Sequence, residues 1–385
     1  MINITNPADC CGCTACASIC AHHAINMVPD ALGFLYPKVS TDLCVDCGLC
    51  EKVCQFNEYY NRFDNNELPQ VYGLRLKDDN QLLRSQSGGA FFAMADVFLK
   101  KNGIVYGAAF DEKWNVHHVA IYDEKGLEKL RGSKYVQSDL RDVFPKIKED
   151  LKNGKNVLFS GTACQVAGLK SYIPKRLHTN LFCIDIICHG VPSPKVWQDY
   201  LLYIEKKYHS KISKVCFRDK RFGWHGAVES FQLACGKELF RQTNNYLYFR
   251  GITMRDSCAN CKFTNMQRVG DVSVGDFWGI SKDSFYEKDS KGYSLVLVNS
   301  DKGKSLFSMI QFPCIIETSN TIDCLQPQLQ HPSTLSSLHE SFIQDFSQKG
   351  FAYVAKKYGD IGWTYRRKKL FRRIINKVKR FIGKK

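Results

Sequence analysis

The sequence predicts a small α+β module at the N-terminus, followed by a larger domain of mixed α/β architecture. Nine of the 18 cysteines lie in the first 54 of the 385 residues. Residues 58–70 are polar, which is typical of a linker. After them strand patterns and helix patterns alternate, as they do in α/β folds. We therefore predict a module over 1–57, a linker over 58–70, a main domain over 71–345 and a tail over 346–385.

Two cysteine runs of identical spacing define the N-terminal module. Each run places three cysteines at every third position, and a fourth cysteine follows after three intervening residues. The runs are Cys10, Cys13, Cys16, Cys20 and Cys44, Cys47, Cys50, Cys54. This is the spacing of bacterial ferredoxins with two 4Fe-4S clusters, in which the fourth cysteine ligates the other cluster.

We therefore predict a ferredoxin-like two-cluster module with two sites. The first site comprises Cys10, Cys13, Cys16 and Cys54. The second site comprises Cys44, Cys47, Cys50 and Cys20.

Zinc is the alternative for these runs, because cysteine pairs with two intervening residues also bind it. A zinc site needs four ligands and gains nothing from the third step or from the exchange between runs, so the spacing favours clusters. Proline usually follows the fourth cysteine, whereas this chain has Ala21 and Gln55 there. Cys11 is an extra thiol that we expect not to be a ligand.

The main domain contains apolar strands that lead through short loops into helices. Such strands are predicted at 156–160 and 181–187, with helices at 166–172 and 194–206. Two buried strands that each feed a helix imply a parallel arrangement. Further strands are predicted at 71–76, 103–110, 117–122, 269–279 and 293–299, with a helix at 90–101.

Four cysteines of the main domain form a candidate third site. Cys164 and Cys188 each follow a predicted parallel strand, and ligands gather at the carboxyl ends of such strands. Cys258 and Cys261 form a CxxC pair in a polar loop. The hypothesis is a third 4Fe-4S cluster on these four thiols. The alternative is that Cys164 is a buried or redox-active thiol and that the CxxC pair is structural or binds zinc.

Five motifs of the main domain share one order with a known family. They are Ser85-Gln-Ser-Gly-Gly89, Gly132-Ser-Lys-Tyr-Val-Gln-Ser138, Ser160-Gly-Thr-Ala-Cys-Gln165, Cys188-His-Gly-Val-Pro-Ser193 and Gly270-Asp-Val-Ser-Val-Gly-Asp-Phe-Trp-Gly279. With them the chain, from about residue 70 to about 345, resembles the coenzyme F-420 hydrogenase/dehydrogenase beta-subunit family. Chlorophyll-metabolism reductases look like relatives. Ala163 stands where the family usually has proline.

This resemblance implies one FAD, a third cluster next to the flavin, and hydride or electron transfer to or from a soluble partner. It does not imply that coenzyme F-420 itself is used. The larger domain is therefore expected to be a mixed α/β flavin domain.

The same resemblance points to residues for the flavin site. The expected contacts are Ser87, Gly88, Gly89, Lys134, Gln137, Ser138, Thr162 and Gln165. Residues 87–89 would offer backbone N–H groups to a phosphate, although they also fit an ordinary helix cap.

Three further side chains have a possible role at the flavin and an ordinary structural alternative. His189 is the expected catalytic residue, as a proton or hydrogen-bond donor near the flavin N5; otherwise it bonds a neighbouring carbonyl. Asp271 and Asp276 would bind ribityl hydroxyls or merely cap turns.

The net charge of +16 is concentrated in the tail. Residues 366–385 contain eleven Lys/Arg and no Asp/Glu, so the rest of the chain carries only +5. A basic patch on the folded domain, which nucleic-acid binding requires, is therefore not indicated. The tail pattern predicts an amphipathic basic helix that contacts an anionic membrane surface or an acidic partner. A terminal helix docked on its own domain is the alternative.

These features together predict an iron–sulfur flavoprotein oxidoreductase. No signal-peptide pattern and no apolar run of membrane length is evident, so we expect a cytoplasmic protein, with the tail as an optional contact to the inner membrane face. Electrons would pass from reduced ferredoxin or a similar donor through the clusters to FAD, and then to an organic substrate or deazaflavin. The alternatives are a non-catalytic electron-relay subunit of a larger dehydrogenase or hydrogenase complex and, more remotely, a metal-organised scaffold.

Overall fold

The computed structural model describes residues 1–57, 60, 65, 66, 68–280, 289–363, 365 and 367. Across these residues the chain forms thirteen strands and eleven α-helices. The strands are β1 (Ile25–Pro29), β2 (Leu35–Val39), β3 (Gln70–Leu76), β4 (Ile104–Phe110), β5 (Val116–Ile121), β6 (Val157–Thr162), β7 (Leu181–Ile186), β8 (Ile212–Cys216), β9 (Glu229–Leu233), β10 (Glu238–Arg241), β11 (Val272–Asp276), β12 (Ser294–Val298) and β13 (Cys314–Ser319). The helices are α1 (Ala15–Ile19), α2 (Leu49–Lys52), α3 (Asp79–Arg84), α4 (Ala90–Lys100), α5 (Glu124–Leu130), α6 (Val143–Lys152), α7 (Ala163–Tyr172), α8 (Pro194–Tyr208), α9 (Thr243–Phe249), α10 (Asp301–Ser308) and α11 (His339–Lys357).

The two cysteine runs adopt the same local structure, a loop followed by a short helix. α1 begins after Thr14 and α2 after Gly48, and both residues have a positive φ (62° and 71°). The third cysteine of each run, Cys16 or Cys50, lies buried in its helix. Between the runs, β1 and β2 form an antiparallel hairpin with Ile25 opposite Val39. Repeated spacing has therefore produced repeated structure.

An eight-stranded mixed sheet forms the centre of the main domain. Its strand order is β13-β3-β12-β11-β7-β6-β4-β5. The inner strands β4, β6, β7 and β11 are parallel, whereas the flanking pairs are antiparallel. The predicted mixed α/β architecture is confirmed, and the parallel strands are those that lead into helices or loops rich in polar residues.

Three parts of the secondary structure differ from the sequence-based expectation. α7 begins at Ala163 rather than Val166, because Thr162 and Gln165 form a reciprocal capping box. Cys164 therefore lies in the first turn of a helix rather than in a loop. The strand predicted at 269–279 is shorter, since β11 spans Val272–Asp276.

A three-stranded antiparallel sheet, in the order β10-β9-β8, was not anticipated. Its strands are short and carry an irregular burial pattern, with a register shift near Ile212. Such strands give little periodic signal. α8 and α11 pack beside it around the buried Trp197 and Phe231.

Glu229 of β9 is a carboxyl group buried in this second sheet. It is fully buried, and burial raises its pKa to about 8. Because the unfolded chain releases this proton near pH 4.5, stability is expected to fall as pH rises from about 4.5 to about 8, by up to about 1.4 kcal/mol per pH unit. Glu229→Gln should remove this slope. Chemical denaturation across this pH range measures it, and an unchanged slope in the variant would contradict the assignment.

Parts of the predicted linker and tail can be compared with the structure. Of the linker, only residues 60, 65, 66 and 68–70 are described, and Asn65 Nδ2 donates to the carbonyl oxygens of Arg268 (2.8 Å) and Gly270 (3.0 Å). The predicted amphipathic tail, apart from Arg367, lies outside the described residues. None of the described helices has the length and apolarity needed to cross a membrane.

Candidate functional site

Four cysteines from three segments line one cavity of the main domain. Cys164 lies in the first turn of α7 and Cys188 follows the end of β7, and these two points are adjacent because β6 and β7 pair in parallel. Cys258 and Cys261 come from the loop before β11. All four predicted third-site residues line the same cavity.

The thiols of this cavity affect one another electrostatically. Burial raises the pKa of Cys188 well above its usual value, and the neighbouring Cys258, Cys164 and Cys261 raise it further. Burial also raises the pKa of Cys258 to about 12. Four thiolates so close together need a positive charge, which an iron–sulfur core would provide. The donor set therefore fits a 4Fe-4S cluster.

The described residues contain no group of three His, Cys, Asp or Glu side chains arranged around a single metal ion. In a cubane each thiolate binds a different iron, so its ligands surround the cluster rather than converge on one atom.

The first site has the same character. Cys10, Cys13, Cys16 and Cys54 line a second cavity, so the fourth cysteine of the second run lies beside the first three of the first run. The backbone N–H of Gly12 donates to Cys10 Sγ at 3.4 Å. Such N–H···S bonds are among the interactions that set cluster potentials.

The second site is only partly enclosed. Cys20 and Cys50 belong to one small apolar cluster, and their sulfurs accept backbone N–H bonds at 3.4 Å from Ala24 and Ile2. Cys44 is half-buried and Cys47 is exposed in the loop before α2. The most exposed of the predicted ligands is therefore at the second site.

The first and third sites meet at Cys11 and Gln55. Cys11 lines both cavities, and its thiol interacts with those of Cys13 and Cys164. Gln55 Nε2 lies 3.0 Å from Cys11 Sγ and 2.6 Å from the Cys164 carbonyl oxygen. Gln55 occupies the position where ferredoxin runs usually have proline, which has no side-chain donor. The sequence showed this departure but not the contact it permits.

Gly168 of α7 allows this close approach. A Cβ atom there would lie 2.7 Å from Cys13 Sγ and 2.9 Å from Cys13 Cβ. Alanine normally stabilises a helix by about 1 kcal/mol relative to glycine, whereas overpacking costs about 1–3 kcal/mol. We expect Gly168→Ala to be less stable than the parent and to lose iron from the first site, measured by thermal unfolding and iron analysis. A variant with higher stability and full iron content would refute the tight contact.

A cavity of about 610 Å³ lies at the carboxyl ends of β4, β6, β7 and β11. This volume is in the usual range for small-molecule sites, roughly 300–1,000 Å³. The lining includes the sequence-predicted residues Ser87, Gly89, Lys134, Ser138, Thr162, Gln165 and His189.

Basic groups dominate this large cavity. Arg131, Lys134 and Arg218 line it, whereas Asp276 is its one carboxylate among the described lining residues. Lys134 Nζ donates to the carbonyl oxygens of Arg131 (3.0 Å) and Leu130 (3.3 Å), and burial lowers its pKa to about 7. An ammonium group without a carboxylate partner favours an anionic ligand.

Two unpartnered donors and a helix start support the same interpretation. Within the described structure, the buried Arg131 Nε and Gln326 Nε2 have no hydrogen-bond partner, and both residues line the large cavity. α4 begins there, after Gly89 with φ 88° and without a side-chain cap. A dinucleotide with phosphate and carbonyl oxygens would satisfy these groups.

Several predicted flavin residues already have structural contacts. Ser87 Oγ donates to Asp276 Oδ1 at 2.5 Å. Thr162 and Gln165 cap α7, and Ser138 Oγ lies 2.7 Å from Nδ1 of His118. These side chains line the cavity, but part of their hydrogen-bonding capacity is used within the protein.

The structure does not bring three predicted residues to the large cavity. A Cβ on Gly88 would lie 1.9 Å from the Leu74 carbonyl oxygen, so Gly88 packs against β3. Gln137 Nε2 donates to the Cys11 carbonyl oxygen at 2.8 Å, which turns it toward the N-terminal module. Asp271 is buried and accepts from the backbone N–H of Cys183 at 2.8 Å; its capping role is therefore the one observed.

Four residues of the large cavity were missed by the sequence analysis. They are His118, Arg131, Arg218 and Gln326. They come from β5, α5 and loops far apart in the chain, so no motif joins them.

His189 lies in the wall between the third-site cavity and the large cavity. Gln328 Nε2 lies 3.0 Å from its Nδ1, and burial lowers the pKa of the imidazole. The neutral ring therefore accepts at Nδ1 and carries its proton on Nε2.

Comparisons with known proteins give two family matches. Residues 154–323 match the family described as the C terminus of the coenzyme F420 hydrogenase/dehydrogenase beta subunit. Residues 37–57 match the 4Fe-4S binding domain. No curated protein matches the chain. Among solved structures, the chain is similar to one from the xenon-derivatised F420-reducing [NiFe] hydrogenase complex of Methanosarcina barkeri, with 17% identity, 77% of this chain and 95% of that chain covered, and a TM-score of 0.47.

Proposed function

Because this chain belongs to the coenzyme F420 hydrogenase/dehydrogenase beta-subunit family and carries a 4Fe-4S binding domain, we propose that it is an iron–sulfur flavoprotein oxidoreductase. It is related to hydrogenase and dehydrogenase subunits. The finer proposal is three 4Fe-4S clusters and one FAD in a single chain, with ferredoxin or a similar carrier as the electron donor and an organic molecule or deazaflavin as the acceptor.

The serial arrangement of three cavities is the observation that supports this proposal. The first-site and third-site cavities share Cys11 and Phe56. The third-site and large cavities share Thr162, Cys188 and His189. A route through shared walls is what stepwise electron transfer requires. The route runs from the N-terminal module to the large cavity, in either direction.

The proposed cofactors would divide the chemistry between them. Clusters supply one-electron transfer, whereas a flavin collects two electrons and releases them together. The twelve cysteines of the three sites would hold the clusters. Arg131, Lys134 and Arg218 would neutralise the pyrophosphate, and α4 would direct its free N–H groups toward it.

His189 would hold a proton at the wall between cluster and flavin. Its Nε2–H is fixed by the bond between Gln328 and Nδ1. We propose it as the residue that donates a hydrogen bond or proton on the flavin side.

A relay subunit without its own substrate is the second candidate. It is favoured because the matched family is one of beta subunits, which work within larger assemblies. A relay would oxidise or reduce its donor only when a partner dehydrogenase or hydrogenase is present. The single-chain combination of a 4Fe-4S domain with the large cavity favours the catalytic candidate.

A contact of residues 366–385 with an anionic membrane surface or an acidic partner is supported by the sequence alone. Eleven Lys/Arg without one acidic residue provide the charge, and the apolar side chains recur with helical spacing.

Anaerobic purification with iron, sulfide and flavin analysis tests the proposed function. About twelve irons and about one FAD per chain are expected from three cubanes and one flavin. About eight irons would refute the third cluster, and absence of a yellow cofactor would refute FAD.

A further inference from the structure

Arg255 is a buried cation between the first and third sites. Its side chain is 0% exposed, and it lines the third-site cavity. Nε donates to the Cys10 carbonyl oxygen at 2.7 Å, and Nη2 donates to Cys10 Sγ at 3.6 Å. One guanidinium, which stays protonated in proteins, therefore contacts a proposed first-site ligand and borders the third site.

Arg255 has no carboxylate partner in the part of the chain that the structure describes. None of the ion pairs found there includes it. Its other donors bond Gln137 Oε1 and the Leu35 carbonyl oxygen, each at 3.0 Å, and it lies 4.2 Å from the ring centroid of Tyr36. These contacts satisfy the N–H groups but do not neutralise the charge. A buried charge without a counter-charge is costly.

The loop of the first cysteine run leaves space for this side chain. Gly12 has φ +67°, and a Cβ there would lie 3.0 Å from Arg255 Nη1 and 3.1 Å from Gln137 Nε2. Any other residue would push the guanidinium away from Cys10. The loop is thus shaped to hold the cation close to the sulfur.

The charge of Arg255 also reaches thiols of both sites. Burial is the largest influence on the pKa of Cys10 and Cys258 and raises both, and the guanidinium opposes the rise at each. It likewise helps to lower the pKa of Cys13 and Cys164, after the interaction of each with Cys11. Two thiols of each site therefore lie within the field of this one cation.

We propose that Arg255 is the shared counter-charge of the first and third clusters and raises the reduction potential of both. The inference rests on the proposed function, because it requires a cluster at each site. A cubane with four thiolates is anionic and becomes more so on reduction, so a nearby fixed cation stabilises the reduced form. Arg255 would thereby hold an electron on either side of the junction between the N-terminal module and the main domain.

The test is an EPR-monitored redox titration of the full chain, purified without oxygen. Arg255→Gln removes the charge, whereas Arg255→Lys retains it. We expect Arg255→Gln to weaken reduction of the first and third clusters by at least about tenfold each, which is about 59 mV for a one-electron couple. Arg255→Lys should preserve most of the potential.

Two controls separate the charge effect from general disruption. Cluster two is an internal reference, since the described contacts of Arg255 include none of its four proposed ligands. Arg75→Gln removes another buried arginine, one that pairs with Asp289 instead. Neither the second cluster in Arg255→Gln nor any cluster in Arg75→Gln should shift.

Gln137→Glu tests the same charge without emptying the Arg255 position. It places a carboxylate where Gln137 Oε1 now accepts from Nη1 at 3.0 Å, and it should lower both potentials in the same direction as Arg255→Gln. This variant decides the matter if Arg255→Gln does not fold.

Unchanged potentials in Arg255→Gln and Gln137→Glu, or a shift in only one of the two clusters, would overturn the inference. Missing iron or missing EPR signals in the parent protein would instead refute the proposed function.

Discussion

Replacing Cys258 with serine is expected to remove about four of about twelve irons per chain, because one thiolate of the proposed third cluster is lost. Cys258 lies in the cavity with Cys164, Cys188 and Cys261. The remaining three thiols are buried and raise one another's pKa or are coupled to neighbours, so they retain a cubane poorly without the fourth. Iron analysis and the EPR spectrum of the reduced protein measure the loss.

Cys235→Ser is the matched control for this change. Cys235 is an exposed thiol outside all the described cavities, so its variant should keep the full iron content. If Cys258→Ser also keeps it, the third cluster is wrong, and the CxxC pair must then have a purely structural role. Loss of all irons from Cys258→Ser would instead indicate general unfolding, which circular dichroism would reveal.

Replacing Lys134 with methionine is expected to weaken FAD binding by about 10- to 100-fold, since a hydrogen bond to a charged group contributes about 1.5–3 kcal/mol. The ammonium group is buried in the large cavity and has a pKa of about 7. Binding of the pyrophosphate would favour its protonated form. Affinity in the parent should therefore fall as pH rises above about 7, whereas the methionine variant should lose this dependence.

Fluorescence titration of flavin-free protein with FAD between pH 6 and 9, roughly centred on that pKa, measures both effects. Lys170→Met is the control, because Lys170 is also buried but donates to the Val269 carbonyl oxygen and does not line the large cavity. An unchanged FAD affinity in Lys134→Met would mean that the phosphate binds elsewhere. An equal loss in Lys170→Met would show that the effect is not local.

Local patterns predicted much of the architecture. Strands such as β4, β6 and β7 were found within one or two residues of their expected ends, because their apolar runs are bounded by turns. β8, β9 and β10 were missed because short, partly exposed strands carry no strong period. The start of α7 was misplaced because the capping box of Thr162 and Gln165 depends on side-chain geometry rather than on apolar spacing.

The candidate sites divide in the same way. The cysteines of the first site were grouped from their spacing, and the structure places all four around one cavity. For the large cavity, the motifs led to Lys134 and His189 but also to Gln137, which faces Cys11 instead. Arg131 and Arg218 were missed, since single arginines in unrelated segments carry no motif.

Cysteine spacing, the order of strands and helices, and the family motifs could all be recognised in the linear chain, because each depends on residues that are close together in sequence. The junction of the first site with the third at Cys11, Gln55 and Arg255 became visible only in the folded molecule. These residues contact partners as many as 245 positions away. Their contacts arise when the N-terminal module packs on α7 and the Cys258 loop. That packing is set by shape, burial and charge across the whole fold.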